Sequence, residues 1–158
     1  MPNGFRLFQC WIRALRKRFW DTTIQALSND RRFIGDSLDR FQEPEARRLA
    51  TAIVNVPERH ISTFNWLETM LVVEGRAGAE AAEETLLILT QLGVGILVLD
   101  AAHMQEAHDA WRRFGKGRHP AALNMGDCCA YAASRVERRP LLFKGNDLTR
   151  TDVEKAVW

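Results

Sequence analysis

No apolar stretch in the 158 residues reaches the roughly 18 needed to cross a membrane, so integral membrane association is not expected. The N-terminus has no uninterrupted apolar core of a secretory signal, because Arg13, Arg16, Lys17 and Arg18 break it up. There are only three cysteines, Cys10, Cys128 and Cys129, an odd number with two adjacent. That is no disulfide framework, and it predicts a reducing, cytoplasmic setting. No nucleophile motif and no glycine-rich phosphate loop is present. His103 and His108 are five apart, poor spacing for one helix face, and no cysteine pair joins them, which speaks against zinc. Internal repeats and low-complexity tracts are absent too.

What remains is 46% hydrophobic and 27% charged, the composition of a globular chain of one-domain length. The charge is uneven. Residues 1–42 hold eight Lys/Arg against four Asp, a net +4, and residues 43–158 hold fourteen against sixteen acids, a net −2. The pattern changes at the same place, so a boundary is expected near Gln42. Residues 1–42 form an atypical basic segment and 43–158 the main domain.

Residues 5–27 carry Phe8, Trp11, Ile12, Leu15 and Phe19 at helical spacing with cations opposite, which predicts a helix. Residues 28–42 keep no clear period. From Glu43 the order is regular. Glu43-Pro44-Glu45 starts a helix with Ala46, Leu49, Ala50 and Ile53 as its buried stripe, and Pro57 ends it. A short strand follows at 59–61, then a helix capped by Ser62 or Thr63 that runs to about Gly75. A helix over 79–92 stops at Gly93. The run Val94 to Leu99 has strand length and suits a sheet covered on both faces. Asp100 caps the next helix, with Met104, Ala107, Trp111 and Phe114 along one side. A loop leads to a helix near Asn124, and a strand at Leu141 to Phe143 closes the series. Strands alternating with helices predict a parallel α/β sheet, whose ligand site lies at the carboxyl ends of its strands.

Three acids stand where that site would be. Glu68 has Phe64, Asn65, Leu71 and Val72 three and four positions away, so it is expected to be partly buried and in need of a cation, an arginine or a proton. The alternative is a rim residue reaching water. Asp127 falls in a helix's first turn, where it could equally serve the helix dipole. Asp147 follows the last strand, where a turn residue is equally at home. Asp152 is expected to cap a final short helix. Together Glu68, Asp127 and Asp147 point to an oxygen-ligand metal pocket for Mg²⁺ or Mn²⁺. Arg112, Arg113, Lys116, Arg118 and His119 precede Asp127, and Lys144 precedes Asp147. Such cations suit a polyanion such as RNA, or are simply a solvated helix end. Cys129, Ala132, Ala133 and Val136 form a small-residue stripe suited to close helix packing.

The stretches EPEARRLATAI, STFNWLETMLVVEGR, WRRFGKGRHPAALNMGDCCAYA and LLFKGNDLTRTD, in this order, resemble the VapC-type PIN-domain toxins over residues 43–152. The resemblance implies a three-layer α/β/α sandwich with a mostly parallel sheet. It implies a Mg²⁺-dependent endoribonuclease of a type II toxin–antitoxin pair, with a cognate antitoxin as partner and a homodimer as a further assembly. Its acidic site maps onto Glu68 of NWLE, Asp127 of MGD and Asp147 of KGND as catalytic metal ligands; beside such a site the charges of Arg113, Lys116, Arg118 and Lys144 make them the candidate substrate-binding residues. The family opens with an apolar central strand ending in Asp-Thr or Asp-Ser, the first metal ligand. Here RRFIGDSLD stands in that place. The first strand is therefore expected to be missing or replaced, and catalysis to be impaired unless Asp21 or Asp36 substitutes. An abrupt, one-sided change of this kind is what a frameshift or misassigned start produces. Two other readings stay open: a non-catalytic PIN-like remnant that binds antitoxin or RNA, and an interaction protein that docks its basic N-terminal helix on a membrane surface or partner.

Overall fold

The structure is a computed structural model that describes residues 5–8, 48, 51–143 and 145–157, the first four through their backbone. Its centre is a parallel sheet of four strands, β1 (Phe5–Phe8), β2 (Glu58–Ser62), β3 (Gly95–Leu97) and β4 (Leu141–Leu142), in the order β3-β2-β1-β4. Leu7 lies opposite His60 on one side and Leu141 on the other, so β1 occupies an interior position. Here the helix expected from residue 5 is corrected: residues 5–8 are a strand. Local helical spacing is outweighed by two parallel ladders that satisfy the backbone on both edges. The expected gap in the sheet is filled by FRLF, a replacement with no acid in it. The remainder of the expected helix, the segment 28–42 with Asp36, Asp21, and the stripe positions 46, 49 and 50 lie outside the described residues.

Residues 51–54 are helical and bury Ile53, and the chain turns at Pro57 into β2. Arg59 of β2 closes two helix ends at once. Its guanidinium donates to the carbonyls of Val56 at 2.6 Å and Ile53 at 3.2 Å, and its Nε donates to that of Leu92. Helix carbonyls left without an amide partner are satisfied in this way. Between β2 and β3 lie α1 (Thr63–Ala77) and α2 (Ala79–Gln91); after β3 come α3 (Ala101–Phe114) and α4 (Met125–Glu137). Ser62, Asp100 and Asn124 cap α1, α3 and α4. The end of α3 is tied to the start of α4, with Leu123 N–H donating to Phe114 O and Lys116 N–H to Leu123 O. At the other end, His103 Nε2 lies 3.4 Å from Glu137 of α4. Beyond β4 the chain forms a short 3₁₀ turn, Leu148–Arg150, and returns to the sheet, where Ala156 N–H donates to Leu141 O at 2.9 Å.

The core lies between α3, α4 and the sheet, around Ala110, Leu123, Tyr131, Ala132, Leu141 and Phe143. Cys129, Ala132 and Ala133 are all buried, as close packing of small residues predicts, whereas Val136 reaches the surface. Two expectations are corrected. The run 94–99 is only three residues of strand at the sheet's edge, and Ile96 and Val98 are exposed at 51% and 70%, so both faces are not covered. On α3 the buried stripe is His103, Ala107 and Ala110, and Met104 and Trp111 face outward. Hydrophobicity at helical spacing fits both stripes; the partner helix α4 selects the one with the small side chains.

Candidate functional site

Ser62 ends β2 and begins α1. Its hydroxyl accepts from Asn65 N–H at 3.1 Å and donates to Asn65 Oδ1 at 2.6 Å. Asn65, buried to 3% exposure, then donates through Nδ2 to the carbonyl of Gly126 at 3.1 Å. This one amide joins the carboxyl end of β2 to the first turn of α4. Three residues on, on the same helix face, stands Glu68, half-buried as its neighbours predict. Its carboxylate rests against Gly126: a Cβ built there would collide with Oε2 and lie 3.0 Å from Cδ and Oε1.

Asp127 follows Gly126. Its Oδ2 accepts from Asn124 N–H at 2.9 Å, and its own N–H donates to Asn124 Oδ1 at 2.9 Å, a reciprocal capping box. The cap holds the carboxylate in one rotamer at the positive end of α4. Glu68 therefore lies against the same helix turn that carries Asp127. Burial pushes the thiols of Cys128 and Cys129 up to about 12 and about 11, and the negative charges of Asp127 and Glu68, respectively, add to it.

Asp147 is half-buried at the start of the 3₁₀ turn, two residues after Gly145, whose φ of +102° favours glycine. The segment it begins is fastened to α3 and α4. Tyr131, one turn beyond Asp127, donates its hydroxyl to Asp152 Oδ1 at 2.6 Å. Arg113 donates to Asp152 Oδ2 at 2.9 Å and to the Tyr131 oxygen at 3.2 Å. Arg150 donates to Pro120 O at 2.9 Å. Asp152 is thus corrected from a helix cap to the anchor of this network. The signal was available: a lone tyrosine four residues after Asp127 would need a partner for its hydroxyl if buried. Asn65 and Gly126 carried no such signal, since their role depends on two helices meeting.

Burial raises the Asp152 carboxyl, but the bonds from Tyr131 and Arg113 outweigh it and hold it below its ordinary value. Burial, and then Asp152, push the Tyr131 hydroxyl up to about 12. With Cys128 and Cys129 this gives three groups that stay protonated longer in the folded chain than in the unfolded one, where thiols titrate near ~8.5 and tyrosine near ~10. Their contribution is complete below those values and is lost as pH rises through 11 to 12. Urea unfolding is therefore expected to show a steep fall in stability between pH 8 and pH ~10.5, and a thiol reagent at pH 8 should leave Cys128 and Cys129 untouched until the chain unfolds. Rapid labelling of both in the folded protein would contradict this.

As for the cations, Arg113 is engaged with Asp152 yet half-exposed, while Lys116 and Arg118 are exposed on the turn between α3 and α4. Lys144 lies outside the described residues. The donors at the corner are all oxygen, which suits a hard cation such as Mg²⁺ in kind. In number they are fewer: among the described residues no three of His, Cys, Asp or Glu stand together as a metal site.

A family model for the PIN domain matches residues 24–154, most of the chain and beginning upstream of the boundary expected at 42. The chain belongs to the PIN-domain family, in its VapC branch. It is 44% identical over 111 residues to a Ribonuclease VapC of Mycolicibacterium smegmatis, covering 70% of this chain and 86% of that protein. It is 40% identical over 111 residues to Ribonuclease VapC30 of Mycobacterium tuberculosis, covering 70% and 85%. Ribonuclease VapC36 of the same species is 34% identical over 118 residues, covering 75% and 85%. The PIN assignment agrees with the α/β layers and parallel sheet, and no helix among the described residues is long and apolar enough to cross a membrane.

Proposed function

We propose that this VapC-type PIN protein is a metal-dependent endoribonuclease, the cytoplasmic toxin of a toxin–antitoxin pair, with residues 43–158 carrying its catalytic acids and Phe5–Phe8 lending the sheet an interior strand. The observation that carries the reading is the corner where Glu68 lies against Gly126 beside the capped Asp127. The relatives' names, all ribonucleases, supply the substrate.

In this reading Glu68, Asp127 and Asp147 hold Mg²⁺ or Mn²⁺, which when bound lowers the pKa of a water and stabilises charge on a phosphoryl group. The chain's own part is placement. Asn65 joins α1 to α4, the capping box fixes Asp127, and the Tyr131–Asp152–Arg113 network holds the segment that carries Asp147. Lys116, Arg118 and the exposed side of Arg113, with Lys144, meet the phosphates. They offset the repulsion that carboxylates exert on a polyanion. Catalysis is weak in this reading, because the interior strand FRLF carries no acid that could serve as a first metal ligand.

A second reading is a PIN protein that binds RNA or antitoxin without cutting, favoured by the lack of a three-carboxylate group among the described residues. A calorimetric titration with Mg²⁺ and Mn²⁺, paired with RNA cleavage with and without EDTA, separates the two. The nuclease reading expects saturable ion binding and cleavage that EDTA stops. No ion binding at millimolar concentration would establish the second.

A further inference from the structure

Trp111 is the least expected side chain on α3. Its spacing assigns it to the core, yet it is 40% exposed. The guanidinium of Arg118 sits over its ring, 4.0 Å from the centroid. The ring of His108, one turn earlier, lies 6.4 Å away and only 20° from parallel. Gly115 makes room for the indole, since a Cβ there would collide with the Trp111 carbonyl and lie 2.7 Å from Cδ1. The turn is rigid: Gly115 N–H donates to Trp111 O at 2.9 Å, and Leu123 N–H to Phe114 O at 2.9 Å. The next residue, Asn124, is the cap that holds Asp127.

An exposed indole with a stacked guanidinium is a flat, weakly hydrated and cationic surface. A solvated lysine or arginine in its place would attract phosphate equally well without the ring. The ring adds a face on which an unpaired base can stack, either on the indole or on the outer plane of Arg118. Lys116, exposed on the same turn, adds a second positive charge that attracts phosphate. A base paired within a duplex has no open face to offer.

We propose that Trp111 and Arg118 form a stacking platform for one unpaired nucleobase of the bound RNA, on the turn that leads into the first turn of α4. The proposal rests on the ribonuclease reading for its ligand and deepens it by naming the side chains that would hold a base.

The test is fluorescence anisotropy with full-length protein and a labelled 2′-O-methyl RNA octamer, alongside an abasic octamer and a fully paired duplex of the same length. Trp111→Ala should weaken the single strand about 5- to 100-fold, the range that loss of one base–aromatic stack produces. It should change the abasic octamer and the duplex by less than about 2-fold. Trp111→Phe should restore most of the affinity, which guards against misfolding of the alanine variant. Arg118→Lys should weaken the base-bearing strand while leaving the salt dependence unchanged, because charge is kept and the plane is lost. Equal loss on abasic and base-bearing strands, or no loss at all, would overturn the platform. So would a Trp111→Ala effect confined to binding of an antitoxin-type protein. Asp127→Asn separates the two levels: if it still cuts RNA, the catalytic reading fails while the stacking result stands.

Discussion

Asp127→Asn is expected to reduce RNA cleavage about 100-fold or more and to leave the fold in place. Loss of a partner that merely orients a metal ligand costs 10- to 100-fold, and a direct ligand should cost at least as much. The structure explains why this variant is cleaner than alanine. Asparagine keeps an oxygen where Asp127 Oδ2 accepts from Asn124 N–H, so the capping box survives. Removing the charge at the start of α4 costs ~0.3–1 kcal/mol. Alanine would also remove the cap, at a further ~1 kcal/mol. The measurement is a cleavage time course in Mg²⁺ together with thermal unfolding of both variants. Unchanged cleavage by the asparagine variant would remove Asp127 from the catalytic set.

Gly126→Ala should be the most selective lesion at this corner. The new methyl would occupy the space of the Glu68 carboxylate, with its Cδ and Oε1 3.0 Å from the added carbon. That carboxylate ends a flexible side chain, so the clash is relieved by moving it rather than the backbone. Stability should therefore change by less than ~1 kcal/mol, helped by the better helix propensity of alanine. The displaced carboxylate, however, leaves the position it holds against α4. A shift of ~1 Å in a catalytic group is worth about 100-fold in rate. Cleavage should fall by that order while the melting temperature holds, and ion affinity should weaken in parallel. A variant that cuts at the parental rate would show that the position of Glu68 is not critical.

Much of the fold was legible because it rests on local signals. Ser62, Asp100 and Asn124 are cap residues followed by periodic segments, and α1, α3 and α4 begin at each of them. The glycine that stops α2 and the proline before β2 mark boundaries by their own backbone limits. The places of Glu68 on a helix, Asp127 in a helix's first turn and Asp147 beyond the last strand were likewise legible.

Tertiary structure decided the rest. Phe5–Phe8 is a strand because β2 and β4 pair with it from both sides, a long-range condition that helical spacing in one segment does not contain. Trp111 faces outward because α4 leaves room only for the smaller side of α3. Asp152 anchors Tyr131 and Arg113 instead of capping a helix, since its partners come from two helices 21 and 39 residues earlier. The sequence by itself determined which residue types could bind a cation and where each helix would start. That Glu68 rests against Gly126, one residue before Asp127, depended on α1 meeting α4. Contact between distant segments is set by packing, where the volume and polarity of every neighbour act at once.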